Sequence, residues 1–146
     1  MAPEDWLAAF LSGDATRIWS ACGAVRSSWD RAALRDLAAS RARIEAATKG
    51  VALGGMFRPN ALQLSLALRK LEMATGEACF CGLYAQDDMF DPQREAEAGH
   101  VTLSDQGVDP ATQDVSWTCQ CCACGARFRA TEVLGYHYPW YRWVTL

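Results

Sequence analysis

The chain has 146 residues, enough for one compact domain or two small lobes sharing a core. Hydrophobic residues make up 51% and charged residues 21%, a balance that excludes an extended disordered chain. Net charge is −3, and the longest apolar run, Trp6 to Leu11, is about a third of the length a membrane-spanning helix needs.

The first half reads as helix. Pro3, Glu4 and Asp5 suit a helix start, and Gly13 ends that segment after Trp6, Leu7, Phe10 and Leu11 form an apolar face. Asp14 is placed to cap a short second helix carrying Ile18 and Trp19, ending near Gly23. Ser27 or Ser28 then opens a longer helix to about Thr48, with Leu34, Leu37, Arg41 and Ile44 at helical spacing and Gly50 as the stop. Residues 51–59, with Gly54 and Gly55, read as a loop. Asn60 caps the next helix, where Leu62, Leu64, Leu66, Leu68 and Leu71 are dense enough for a mostly buried element closed by Gly76.

Beyond residue 78 the pattern changes. Cys79-Phe80-Cys81-Gly82 is turn-like, Asp91-Pro92 opens a helix of about two turns ending at Gly99, and His100 to Leu103 reads as a strand. Ser104 to Asp114 reads as a loop. Val115, Trp117, Cys119 and Cys121 alternate as a strand does, and Phe128 and Val133 lie in a second strand after a turn at Gly125. The aromatic stretch from Tyr136 to Val144 reads as an extended edge, because Pro139 cannot donate to a ladder. The expected fold is α+β: a helical part over 1–78, with about four helices, packed on a small antiparallel, zinc-ribbon-like part over 79–146.

The two parts differ in charge. Residues 1–78 hold ten Lys and Arg against eight Asp and Glu, whereas 79–146 hold four against nine. An acidic half repels phosphate, so it is expected to attract a basic protein surface, and neither nucleic acid nor a membrane. Only two of the basic residues are Lys and Ala is abundant, the bias of a GC-rich bacterial coding sequence. Glu4 and Asp5 stand where a secretory signal carries Lys or Arg, so a cytoplasmic protein is expected.

Seven cysteines are unevenly spread. In a reducing compartment, clustered thiols bind metal more often than they form disulfides. Cys79-x-Cys81-Gly82 is followed about 40 residues later by Cys121-x-x-Cys124-Gly125. Two such knuckles supply two thiolates each to a tetrahedral zinc, and the Gly after the second lets the chain turn sharply. Cys119-x-x-Cys122 is an equally spaced alternative, less favoured because no Gly follows it. In the preferred arrangement Cys122 lies at the tip of the hairpin, and Cys22 is a small core residue. A redox Cys-x-x-Cys pair lacks its usual strand–helix context.

Either His100 or His137 could complete a metal site, although a histidine beside strands is more often a hydrogen-bonded structural residue. Neither has the Glu two residues on that a zinc deaminase needs, and no His-Glu-x-x-His, Gly-x-Ser-x-Gly or phosphate-binding Gly-rich motif occurs. Four thiolates also leave no open position for water, so a structural zinc without catalysis is expected. Two features suit a partner surface: the acidic cluster Asp87, Asp88, Asp91, Glu95 and Glu97, and the aromatic tail with Trp140 and Trp143. Each has a plainer reading, a solvated face for the acids and core packing for the rings.

The order of a helical front, Cys-x-Cys, an acidic middle, Trp117-x-Cys119-x-Cys121-x-x-Cys124-Gly125 and Tyr136-His137-Tyr138-Pro139-Trp140 resembles cysteine-bearing immunity proteins of bacterial polymorphic toxin systems over residues 79–143. The resemblance implies a cytoplasmic antitoxin that binds and blocks a cognate toxin and has no activity of its own. The partner-contacting residues are then expected to be Asp87, Asp88, Asp91, Trp140 and Trp143, facing a basic toxin domain. A zinc-ribbon regulator contacting nucleic acid or transcription machinery is the second reading, and it requires Arg127, Arg129 and Arg142 to form a local basic face. A thiol-redox protein or other small enzyme, using surplus cysteines such as Cys122, is the third.

Overall fold

A computed structural model describes residues 1–55, 59–134 and 138–146. The chain divides into two compact units, Met1–Phe80 and Cys81–Leu146. The fold is α+β, with helices towards the N-terminus and an antiparallel sheet towards the C-terminus. Among the described residues, no helix is long and apolar enough to cross a membrane.

Among the described residues, five helices build the first unit: α1 Pro3–Phe10, α2 Ala15–Ser27, α3 Arg31–Ala38, α4 Arg41–Thr48 and α5 Asn60–Thr75. Asp14 accepts a hydrogen bond from the Arg17 amide at 2.8 Å and so caps α2 as expected. The helix does not stop at Gly23 but runs on to Ser27, with Cys22 and Val25 buried on its inner face. The longer helix expected to Thr48 is two helices. Asp30, not a serine, caps α3 through the Ala33 amide, and the Ser40 amide bonds to the Leu37 carbonyl, tightening the turn that separates α3 from α4.

Helix α5 is amphipathic, not mostly buried. Gln63, Leu66, Ala67, Lys70, Leu71 and Ala74 follow the three-and-four spacing of one inner face, while Leu62 is exposed. Asn60 begins this helix without capping it; its side-chain amide donates to the Leu53 carbonyl at 2.7 Å. The core joins Phe10, Ile18, Val25, Leu34, Ile44 and Leu71.

Two cations belong to this interior. Lys70 is buried, donates to the Arg26 carbonyl, and lies 5.0 Å from the Phe80 ring centroid. Arg31 closes the C-terminus of α5: its guanidinium donates to the carbonyls of Met73, Gly76 and Ala78 at 3.0, 2.8 and 2.6 Å and stacks over Phe80. It thereby fixes the chain immediately before Cys79. Arg31→Ala is expected to cost about 2 kcal/mol in urea denaturation, and Arg31→Lys to recover little because an ammonium cannot span three carbonyls.

The second unit holds a 3₁₀ helix starting at the boundary (Phe80–Gln86), helix α6 (Pro92–Glu97), and strands β1 Val101–Val108, β2 Val115–Cys121, β3 Arg127–Val133 and β4 Trp140–Thr145. The strands pair in chain order as an antiparallel meander. Ser104 to Val108, expected as loop, stays in the sheet because Asp105 and Gln106 bulge opposite Trp117, with Asp105 at φ 48. The last stretch forms edge strand β4, in keeping with its reading as an edge. Tyr136 and His137 lie outside the described residues.

The inner sheet face carries Trp117, Cys119, Phe128, Ala130, Tyr141 and Trp143, all buried. Tyr84 of the 3₁₀ helix packs on it, stacked on Trp143 with ring centroids 4.2 Å apart and edge-on to Phe90 and Phe128.

Candidate metal centre

The second cysteine knuckle forms where β2 turns into β3. The Cys121 amide bonds to the Ala126 carbonyl at 2.8 Å, and the Gly125 amide returns to the Cys121 carbonyl at 2.9 Å. Gly125 has φ 77, a left-handed conformation in which a side chain would be strained, so glycine after Cys124 has a local cause. The first knuckle is a different element: Cys79 and Cys81 flank the start of the 3₁₀ helix instead of a hairpin.

The thiol sulfurs of Cys79, Cys81, Cys121 and Cys124 all lie within 4.8 Å of one another, and the Cys81 and Cys124 sulfurs are 3.5 Å apart. A tetrahedron of thiolates at the usual zinc–sulfur length of 2.3 Å has sulfur–sulfur edges of about 3.8 Å. The four sulfurs thus stand close to the corners such a metal requires. None of the seven cysteines forms a disulfide. Among the described residues this is the group of His, Cys, Asp and Glu that could hold a metal ion.

The remaining cysteines separate by environment. Cys119 shares the inner sheet face with Cys121 but is fully buried outside the cluster, where burial pushes its thiol up to about 11. Cys22 is buried in the helical unit, and burial pushes its thiol up to about 12. Both thiols are held neutral and inert. Cys122 is exposed on the hairpin turn, and its amide donates to the His100 carbonyl at 2.9 Å.

His100 has a structural partner. Its Nδ1 lies 2.9 Å from Glu95 Oε2, which also accepts the Tyr84 hydroxyl at 2.7 Å. Burial and the Glu95 charge raise the Tyr84 phenol well above its ordinary value, so it stays a donor. This Tyr84–Glu95–His100 chain joins the 3₁₀ helix, α6 and the start of β1. The sequence reads His100 as a hydrogen-bonded structural residue, but nothing in the spacing indicates Glu95 and Tyr84 as its partners.

The expected partner surface changes most. Asp87 is 2% exposed and accepts from the Met89 amide at 3.0 Å, and Trp143 is 4% exposed, with its indole donating to the Phe90 carbonyl at 2.9 Å. Neither side chain reaches solvent, so neither offers a contact to a partner. Asp91 is half-buried and caps α6 through the Gln93 amide. Its carboxylate also faces Tyr141, whose phenol is pushed up to about 12 by burial and then by Asp91. Asp88 and Trp140 are half-buried as well. Glu95 is interior. The acidic cluster is therefore largely a set of local hydrogen-bond acceptors, and only Glu97 of it is fully exposed.

Set against known protein families, curated proteins and solved structures, the chain matches none of them. Its class is defined by the fold and the cysteines: an α+β protein with a four-cysteine cluster fit for a metal ion.

Replacing one ligand in each knuckle tests the cluster directly. Protein purified without added metal is expected to carry one zinc per chain, and the Cys81→Ser, Cys124→Ser double variant to carry none by elemental analysis. Full zinc content in that variant would reject the ligand set.

Proposed function

We propose that this chain is a non-enzymatic, zinc-stapled binding protein that neutralises a basic toxin as an immunity protein does. The observation that carries the first part is the four-sulfur cluster. Four thiolates complete a tetrahedral zinc, leave no position for a substrate or water, and turn metal affinity into folding energy.

The toxin partner is supported by the charge excess, since Cys81–Leu146 holds four Arg against nine Asp and Glu. The acidic side chains available to such a partner are Glu97 on α6, Asp105 in the β1 bulge and Asp109 in the following loop, all exposed. Opposite charge would speed encounter and make association fall with salt.

The test is capture from the source organism with the purified chain, followed by a growth assay. The captured protein, expressed alone, should arrest growth, and co-expression of this chain should restore it. Charge reversal at Glu97, which is exposed on α6, should slow association without altering the melting temperature. A captured protein that does not impair growth, or one whose toxicity this chain leaves intact, would overturn the reading.

A further inference from the structure

Register places alternate sheet residues on opposite faces, and the face turned away from Trp117 and Trp143 has a distinct chemistry. Arg129 pairs with Thr118 on one side and Val144 on the other, Arg127 pairs with Gln120, and Arg142 pairs with Thr131. Three of the four arginines of an acidic unit therefore share one face. All three are exposed, and none makes an ion pair or side-chain hydrogen bond with a described residue. No acidic residue occupies a paired position on this face.

At one end the face deepens into an open cleft of about 430 Å³ lined by Arg129, Arg142, Ser116 and Thr131, with Asp109 and Asp114 at its loop wall. Asp109 is engaged by its own turn, accepting from the Ala111 amide at 2.8 Å. Trp140 precedes Arg142 by two residues on the same face, and its ring lies 5.1 Å from that of exposed Tyr138.

We propose that this sheet face binds single-stranded nucleic acid, with Arg127, Arg129 and Arg142 on successive backbone phosphates and Trp140 offering a base a stacking surface. Charge complementarity selects the occupant. Arg127 and Arg129 stand about 7 Å apart along β3, and Arg142, paired with Thr131 on the next strand, lies diagonal to Arg129 at about 7–8 Å. A row of this length exceeds one phosphate group and matches a repeated anion. Arginine beside aromatic rings suits a strand whose bases are unstacked, since each base presents a π-face whatever its sequence. The site is separate from the thiol cluster and shares Asp109, at the cleft's loop wall, with the acidic residues assigned to the toxin, and it stands without either assignment.

The test is fluorescence anisotropy of the purified full chain with a labelled thymidine oligomer of about twelve nucleotides. Binding is expected at low salt, with a slope of log affinity on log salt of about −2, as three neutralised phosphates predict for a single strand. The Arg129→Ala, Arg142→Ala variant, whose changed side chains are exposed, should melt at the unchanged temperature. It should bind at least about tenfold more weakly at low salt and show a slope nearer −1. Absence of binding at low salt, or equal binding by the folded variant, overturns the proposal. So does polyglutamate binding as tightly as the oligomer, which would make the occupant an acidic peptide. Inorganic phosphate displacing the oligomer at equal concentration would reduce the site to a small-anion cleft and overturn it likewise.

Discussion

Removing the metal proposed for the four-cysteine cluster is expected to unfold Cys81–Leu146 while the helical unit stays folded. The sheet unit has 66 residues, a size at which a single hydrophobic core rarely supplies more than about 3–5 kcal/mol. Structural zinc binds comparable small modules with about 10–16 kcal/mol, which exceeds that margin. The sulfurs tie the start of the 3₁₀ helix to the β2–β3 turn, points about 40 residues apart in sequence. Without the metal, only the packing of Tyr84 on the sheet and its hydrogen bond to Glu95 offset the chain entropy of holding those points together. For a domain of this size, about 1 kcal/mol moves the melting temperature by roughly 4–8 °C, so the shift on chelation should exceed about 15 °C. Thermal melting with and without chelator reads the shift, and hydrogen exchange assigns it to the sheet unit. Equal melting of metal-free and metal-loaded protein would end the staple account.

Trp143→Ala is expected to be the most destabilising single ring deletion in the sheet unit. Trp143 is 4% exposed, stacks on Tyr84 at 4.2 Å, meets Phe128 edge-on at 5.9 Å, and donates its indole proton to the Phe90 carbonyl. Truncating a buried Trp costs about 3–5 kcal/mol, comparable to the whole margin of so small a unit. Trp143→Phe should keep most of the stacking and lose the hydrogen bond, for about 1–2 kcal/mol. Trp140→Ala, on the edge strand and half-buried, should cost less than about 1 kcal/mol. Urea denaturation with an unchanged slope compares the three. A Trp143→Ala protein of undiminished stability would return that ring to the surface.

The helical half was legible where a signal was local. Pro3, Asp14 and Gly76 mark helix ends correctly because capping and φ preferences act within one turn. Gly23 and Ser40 mislead for the complementary reason. Gly23 is tolerated inside α2 by the packing of Cys22 and Val25, whereas a single tightened turn at Ser40 divides what spacing alone joins. Lys70 carries no local mark of burial; its place depends on a carbonyl of Arg26, 44 residues away in sequence, and on the ring of Phe80 beyond the end of its own helix.

The sequence by itself determined the helix-to-sheet order, the alternation of β2, and which cysteines fall into two knuckles. Those are matters of period, turn chemistry and spacing, and they involve few residues at a time. Tertiary structure decided that the four knuckle thiols converge while Cys119, on the same strand face as Cys121, stays outside in the core. It also turned Asp87 and Trp143 inward and brought Arg127, Arg129 and Arg142 onto one open face. The reason is geometric: which side of a strand faces the core follows from strand pairing and from Tyr84 packing over it. Residue type alone says that an aspartate favours water and an indole favours contact, but not which hydrogen bond or ring will claim it.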